Sequence, residues 1–550
     1  MRLLSAFFIS LLAFSFVTSS SVAAVSLSKE QVLRLGNGSE PKELDPSRAT
    51  GAPEGKILDS IFEGLVNLDQ ATLEIIPGVA ESWTVSKDGL TYTFNLRKNA
   101  KWSDGKALVA DDFVFSWRRA ISPALASEYA YQLYYIKNGK AINTGELKDV
   151  KKLGVKAKDS HTLVVNLENP TPFFLQLCAF RTLYPVPKHV VTKHKGQEWT
   201  REENIVSNGA FKLTEWKINK HVIAVKNPNY WDSQNVALQK IFFLPIEKVE
   251  TEENAFFSGQ IHMTNTVPQV KIALYEKRAK KNPSAYNPYK NFPYLGTYFY
   301  RFNTTKKPFN DKRVRKAFAM VIDRNLITSR ITRGGELPGT TFTPPGVGGY
   351  TYENSYLPTS TSKDVIAKAK ALLAEAGYKD LSKFPKTEIL YNTSENHKKI
   401  AVAIQQMWKG FLGINVGLYN QEWKVYLSNQ SQLKFDISRS GWIGDYADPN
   451  TFLDMFVTGG GNNNTGWSNK EYDDLIAKAS AEANQSKRYE YFQKAEKILL
   501  DEMPVIPIYI YTNKKLVSDK VLIKNEKGTW VPWFGNVQDH FTLKHFAIAK

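Results

Sequence analysis

The 550-residue sequence predicts an α/β architecture divided into two or three domains, and three observations carry that expectation. Segments of alternating apolar and polar residues recur along the chain, interleaved with segments whose apolar residues return every three to four positions, the mixture that packs helices on sheets. The length exceeds what a single core can organise. No Pro/Gly/Ser-rich linker divides the chain, so its domains are expected to share crossing strands, which suits hinge closure around a ligand.

Taken in order, the first segment is an export signal. Arg2 precedes a largely apolar stretch over residues 3–17, and small residues follow to Val22-Ala23-Ala24. At about 15 residues the stretch falls short of the roughly 20 a membrane-spanning helix needs, so cleavage after Ala24 is expected. No cysteine stands there to carry a lipid, and a soluble exported protein is expected. The lone Cys178 excludes an internal disulfide, so stability must come from buried apolar surface.

Residues 90–96 alternate cleanly between the turn signals Asp88-Gly89 and Asp104-Gly105, and residues 161–167, 222–225 and 505–511 read as further strands. Over residues 362–377, Val365, Ala369, Leu372, Leu373 and Ala376 share one helical face, with Ser362 as N-cap and Gly377 past the end. Residues 397–412 and 488–503, the latter closed by Pro504, repeat that pattern. The polar run at 459–464 lacks the Lys-Ser/Thr of a phosphate loop and reads as a flexible surface connection.

Seventy-two basic against 54 acidic residues give a net charge of +18, or +17 once Arg2 is removed. The basic residues are scattered without a run of five or six, so a solvated surface is expected rather than a nucleic-acid partner. Catalytic constellations are missing. There is no Gly-x-Ser-x-Gly elbow and no His-Glu-x-x-His. The pairs His189/His194 and His540/His545 lack a second ligand cluster and read as structural. Ser360-Thr361-Ser362-Lys363 matches an acylating string, but Ser362 serves better as a cap. Asp111-Asp112 supports no glycosidase, whose carboxyl separation is invisible in sequence. No catalytic residue, metal or cofactor is expected.

Several phrases, in order, carry a resemblance. They are Phe62-Glu63-Gly64-Leu65, Pro77-Gly78-Val79-Ala80-Glu81-Ser82-Trp83, Phe94-Asn95-Leu96-Arg97 with Lys101-Trp102-Ser103-Asp104-Gly105, and Asn208-Gly209-Ala210-Phe211. Later come Pro308-Phe309-Asn310-Asp311, Tyr391-Asn392-Thr393-Ser394-Glu395-Asn396-His397 and the stretch over residues 435–446. Together they resemble the extracytoplasmic solute-binding proteins, family 5, of peptide ABC importers, whose members include oligopeptide and murein-peptide binders.

The resemblance implies a two-lobed periplasmic-binding-protein fold with mixed sheets and an extra inserted domain. The signal would occupy residues 1–24, lobe I residues 25–64, 189–295 and 513–550, the inserted domain 65–188, and lobe II 296–512. The chain would cross the hinge near residues 295 and 512. By the same likeness Asp445 would receive the ammonium group of an extended peptide of about two to five residues. Trp442, Ile443 and Gly444 would offer main-chain groups as to an added strand. Arg439 and His397 would meet the carboxylate, His397 only when protonated. Trp423, Tyr129, Tyr294 and Tyr511 would line the cleft. Three departures put peptide length and side-chain tolerance in question: Thr50 where an acidic residue is usual, Thr332 at a basic position, and Gln430 in place of an arginine. The implied partner is a membrane permease, and a monomer is expected. Two alternatives stay open: a different cargo, such as murein tripeptide, haem or a metal chelate, and a secreted peptidase.

Overall fold

The computed structural model describes residues 25–194, 196–281, 286–353, 357–525, 527–540 and 542–550. The export signal expected over residues 1–24 lies outside them. Among the described residues no helix is long and apolar enough to cross a membrane.

Local sequence explains the elements. In the strand Thr91–Leu96, Tyr92, Phe94 and Leu96 are buried while Asn95 is exposed, and Tyr92 stacks on Phe94 with ring centroids 6.2 Å apart. The helix Lys363–Glu375 starts where the Ser362 hydroxyl accepts from the Val365 N–H at 3.2 Å, buries Ala369 and Leu373, and stops before Gly377, whose φ of +97° is left-handed. The helix Gln485–Glu502 begins three residues before the apolar pattern does, because the Asn484 side chain caps it.

Five sheets result. A four-stranded mixed sheet orders Val32–Gly36, Lys240–Leu244, His221–Lys226 and Phe211–Lys217, with only the first pair parallel. An antiparallel sheet of Ala80–Val85, Thr91–Leu96, Thr162–Asn166 and Val155–Asp159 stands apart from it. The largest sheet has six strands in the order Leu337–Pro338, Val505–Leu516, Tyr289–Phe302, Ile437–Ile443, Thr387–Asn392 and Val416–Gln421. One large core draws its members from Leu33 to Met263 and again from Val517 to Ile548, with Tyr446 joining it, and a second from Tyr298 to Tyr509. The architecture is therefore two-lobed and mixed α/β.

Two long strands, Tyr289–Phe302 and Val505–Leu516, join the lobes as an antiparallel ribbon. Its register is continuous from Tyr289↔Leu516 to Pro293↔Thr512, breaks, and resumes at Thr297↔Ile510. Within the break Leu295 faces both ways: its N–H donates to the Val537 carbonyl at 2.6 Å, and its carbonyl accepts from Gly444 at 2.8 Å. A local interruption between two well-paired stretches is where such a ribbon bends most easily.

The run at 459–464 corrects the sequence expectation of a flexible surface connection. Asn462 and Asn463 are buried. The Asn463 amide donates to the carbonyls of Phe456, Val457 and Trp467 at 3.0–3.2 Å, while Asn462 reaches the Tyr131 hydroxyl at 3.3 Å. A short amide side chain that closes on main-chain carbonyls stabilises an irregular turn that its polarity alone would send to solvent.

Candidate functional site

The strand Ile437–Ile443 forms one wall of a crevice between the lobes, and its hydrogen-bond phase decides what it presents. Flanking bonds from Asn303 N–H to the Asp436 carbonyl and from Gly444 N–H to the Leu295 carbonyl fix that phase against Tyr289–Phe302. Antiparallel pairs alternate, so Ser438, Ser440 and Trp442 aim their main-chain groups at that neighbour. Arg439, Gly441 and Ile443 aim theirs the other way. There the parallel strand Thr387–Asn392 pairs only as far as Leu390↔Ser438, and the Arg439 carbonyl is taken by Tyr426 and Gln430. Gly441 and Ile443 are left on an open edge that lines the crevice. A side chain at 441 would collide with the Tyr511 hydroxyl, which gives the glycine its reason.

The geometry corrects part of the expectation from sequence. Gly444 spends its N–H on Leu295 and Trp442 faces the neighbouring strand, so the free main-chain groups belong to Gly441 and Ile443. Trp442 contributes its ring instead: the indole N–H donates to the Thr451 carbonyl at 2.7 Å, and the ring stacks on Tyr129 with centroids 6.0 Å apart.

Asp445 ends this wall. Its main-chain N–H donates to the Thr451 hydroxyl at 3.0 Å. Its carboxylate, half-buried, accepts from Gln132 at 2.9 Å and from the Tyr129 hydroxyl at 3.4 Å. Two donors leave lone pairs unused. Burial pushes the carboxyl up to about 7, against the opposing pull of the Arg181 charge and the two hydrogen bonds. An acid so placed gains from any cation that enters beside it.

At the other end, Arg439 is nearly enclosed. It donates to Asn392 at 3.1 Å and to the Tyr511 hydroxyl at 3.0 Å, and its guanidinium lies 4.6 Å from the Tyr298 ring centroid. Its Nε has no partner. His397 meets the Tyr298 hydroxyl at 3.4 Å. Burial first, and then the Arg439 charge, drive its imidazole well below the usual range, so it stands neutral here rather than cationic. Tyr294 packs edge-on against Tyr511 with centroids 5.9 Å apart. Trp423 stacks on Tyr426 and donates across the crevice to Glu54 at 3.3 Å.

All ten residues singled out from sequence thus line two adjoining cavities of about 290 and 270 Å³. Of the three departures, Thr50 lines the crevice, Thr332 is buried against Glu336 at 2.7 Å, and Gln430 sits behind the open-edge strand, bonded to Arg439 and Ser438. Arg330 and Arg333 are exposed and touch neither cavity.

Apart from Tyr129, the opposite wall went unread in the sequence. It is one face of the helix Ala52–Ile61, with Ala52, Gly55, Lys56 and Asp59 at helical spacing, together with Arg181 and Gln132. Lys56 bonds the Asn265 side chain. Arg181 rests over the Phe180 ring, 4.4 Å from its centroid. One signal was available: Arg181 is the single charged residue in a largely apolar stretch from Phe173 to Val186, where an uncompensated cation calls for an explanation.

Residues 74–464 match the profile of the bacterial extracellular solute-binding proteins, family 5. The periplasmic murein peptide-binding protein MppA of Escherichia coli is 41% identical over 495 residues, 90% of each chain. The periplasmic oligopeptide-binding protein OppA of Salmonella typhimurium is 40% identical over 551 residues, covering 98% of this chain and 97% of its own. Among solved structures, the E. coli murein tripeptide binding protein superposes with a TM-score of 0.89 at 39% identity, covering 96% of this chain and all of its own. Haemophilus influenzae OppA in complex with RPPGFSPFR gives 0.88 at 36% identity, with 95% of this chain and all of that one covered. The unliganded open form of MppA gives only 0.62 at the same 39% identity, covering 96% of this chain and 99% of its own. Identity being equal, the drop reflects how the lobes are disposed, and the lobes here lie nearer the first arrangement than the open one. With the profile matched over most of the length and relatives this similar end to end, the chain belongs to family 5 of the bacterial extracellular solute-binding proteins.

Proposed function

We propose that this protein captures short peptides in extended form between its lobes, largely without regard to sequence, and delivers them to an ABC-type importer in the membrane. The observation that carries the reading is the half-paired strand: Gly441 and Ile443 offer an open edge, and Asp445 closes it with an enclosed carboxylate that has spare acceptor capacity. Main-chain pairing is indifferent to side chains, while a buried carboxylate rewards a free ammonium and penalises its absence. Names borne by the relatives, murein peptide-binding and oligopeptide-binding, support the same cargo class.

Asp445 would hold the amino end and Arg439 the carboxylate of a short guest, with His397 recruited for a longer one only if the incoming anion raises its proton affinity. The aromatic rings of Tyr129, Tyr294, Trp423 and Tyr511 would enclose the guest. The lobe boundaries are those given from sequence: residues 25–64, 189–295 and 513–550 for lobe I, 65–188 for the inserted domain, and 296–512 for lobe II. The chain would act in the periplasm as a monomer after loss of its export signal, and would release its guest chemically unchanged.

Calorimetric titration with peptides of two to six residues, each also N-acetylated, tests the reading. Free peptides should bind and their acetylated forms should lose at least about a hundredfold in affinity, the scale of an unpaired enclosed charge. Equal binding of both forms would remove Asp445 from the role.

A further inference from the structure

Among the described residues, three cations of the crevice stand without a salt bridge, although the carboxylates of Asp59, Asp445, Glu247 and Glu252 line it as well. Lys514 is paired with Glu336 and Lys515 with Asp539. Lys56, Arg181 and Arg439 line the same space and have no carboxylate within ion-pair distance. Lys56 bonds only the Asn265 amide oxygen. Among the described residues the Arg181 side chain makes no hydrogen bond, its Nε is buried without a partner, and it feels the charges of Asp59 and Asp445 from beyond bonding distance. A tripeptide of neutral residues brings a single carboxylate, which Arg439 would take. Two cations are then left facing the guest from the helix-and-loop wall.

Their position indicates which part of the guest they meet. Arg181 and Lys56 line the same cavity as Asp445. Gly55 has no side chain to separate Arg181 from the helix beneath it: a Cβ there would lie 2.8 Å from Nη1. An ammonium held by Asp445 would enter beside the Arg181 charge, a repulsion that a guest carboxylate close to that amino end relieves. A guanidinium with open donors recognises a carboxylate in a planar, directional way that a neutral amide cannot reproduce.

We propose that Arg181 and Lys56 form an acidic-side-chain subsite, selecting peptides that carry a carboxylate near the amino end beyond the one at their carboxyl terminus. The inference rests on the peptide-binding reading and names the class of guest this crevice prefers.

The test compares Glu with Gln at each position of an alanine tripeptide. Glu-Ala-Ala, Ala-Glu-Ala and Ala-Ala-Glu, their three Gln counterparts and Ala-Ala-Ala are titrated into the wild-type protein and into Arg181→Gln and Lys56→Gln. The readout is the ratio of Glu to Gln affinity within each protein, so any general weakening cancels. At the first or second position the wild type should favour Glu by about tenfold, the scale of one added charge-assisted bond. The ratio should fall toward one in Arg181→Gln, fall partway in Lys56→Gln, and shrink in the wild type at high salt. Ratios near one at every position of the wild type, or a preference that survives both substitutions, would overturn the subsite while leaving peptide binding intact. If no tripeptide binds at all, the peptide-binding reading fails and the subsite falls with it. Thermal melts of both variants show whether they fold, and Lys56→Gln still decides the ratio if Arg181→Gln does not.

Discussion

The two walls of the crevice are built in opposite ways. One is a single strand and its continuation, Ile437–Ile443 followed by Gly444 and Asp445, in which nine consecutive residues supply the open edge, the cation Arg439 and the carboxylate. The other is assembled from the face of Ala52–Ile61, from Tyr129 and Gln132, from Phe180 and Arg181, and from Asp539 and His540, four segments scattered between residues 52 and 540. The contiguous wall is generic, since main-chain edges accept any peptide. The assembled wall adds the further charges of Lys56, Asp59, Arg181 and Asp539, and selectivity can change there without disturbing the sheet.

If that division holds, the greatest loss should come from the contiguous wall. Asp445→Asn keeps the shape but leaves the guest ammonium enclosed without its counter-charge, an arrangement worth about 3 to 5 kcal/mol, or roughly a thousandfold in affinity. Calorimetry with a tripeptide reads it directly. A loss below about tenfold would mean that the assembled wall, not the strand, supplies the main anchor.

Proton competition comes next. In the empty protein the Asp445 carboxyl sits at about 7 against an ordinary 3.8. An ammonium guest needs it ionised, so affinity should drop toward tenfold for each unit below pH 7, about a hundredfold between pH 8 and pH 5. Stability of the empty protein should run the other way. The folded state keeps a proton that the unfolded chain has released, so the contribution is full below about pH 4 and disappears as pH rises through 7. Glu252 and Glu496, also raised to about 7 by burial, share that sign. The difference between wild-type and Asp445→Asn melting curves isolates Asp445. Parallel curves would show that this carboxyl is not desolvated.

Gly441→Val probes the open edge itself. Its side chain would meet the Tyr511 hydroxyl, and shifting that ring breaks the 3.0 Å bond from Arg439. Overpacking of this kind costs about 1 to 3 kcal/mol, so peptide affinity should fall by roughly thirtyfold for neutral and acidic guests alike. A loss confined to acidic guests would contradict the division between the walls.

How much of this was legible follows the same line. Alternation over residues 90–96 and the Ser362 cap are written within a few residues, and both appear as read. Asp445 and Arg439 lie in one phrase, so a resemblance could carry them together. Arg181 and Lys56 are separated by more than a hundred positions, and only the packed helix face brings them into one cavity. The run at 459–464 misled for a related reason: its asparagines satisfy carbonyls at Phe456, Val457 and Trp467, and no composition reveals that closure. The hydrogen-bond phase that frees Gly441 and Ile443 rather than Trp442 and Gly444 depends on the partner strand, which sequence does not display.

The smallest effect is expected from Gly55→Ala, the counterpart of Gly441→Val on the assembled wall. Alanine is the better helix former, so the Ala52–Ile61 helix should gain up to about 1 kcal/mol, visible as a modest rise in melting temperature. The added methyl meets the Arg181 guanidinium at 2.8 Å, near the flexible end of a long side chain that can move away. Sheet geometry is untouched, and affinity for a neutral tripeptide should change by no more than about threefold. The preference for Glu over Gln near the amino end should shift more than that, because the displaced group is the one that reads it. Titrating the same tripeptide pairs into Gly55→Ala separates the cases. A large loss for neutral guests with the Glu preference intact would show that this helix face belongs to the generic machinery after all.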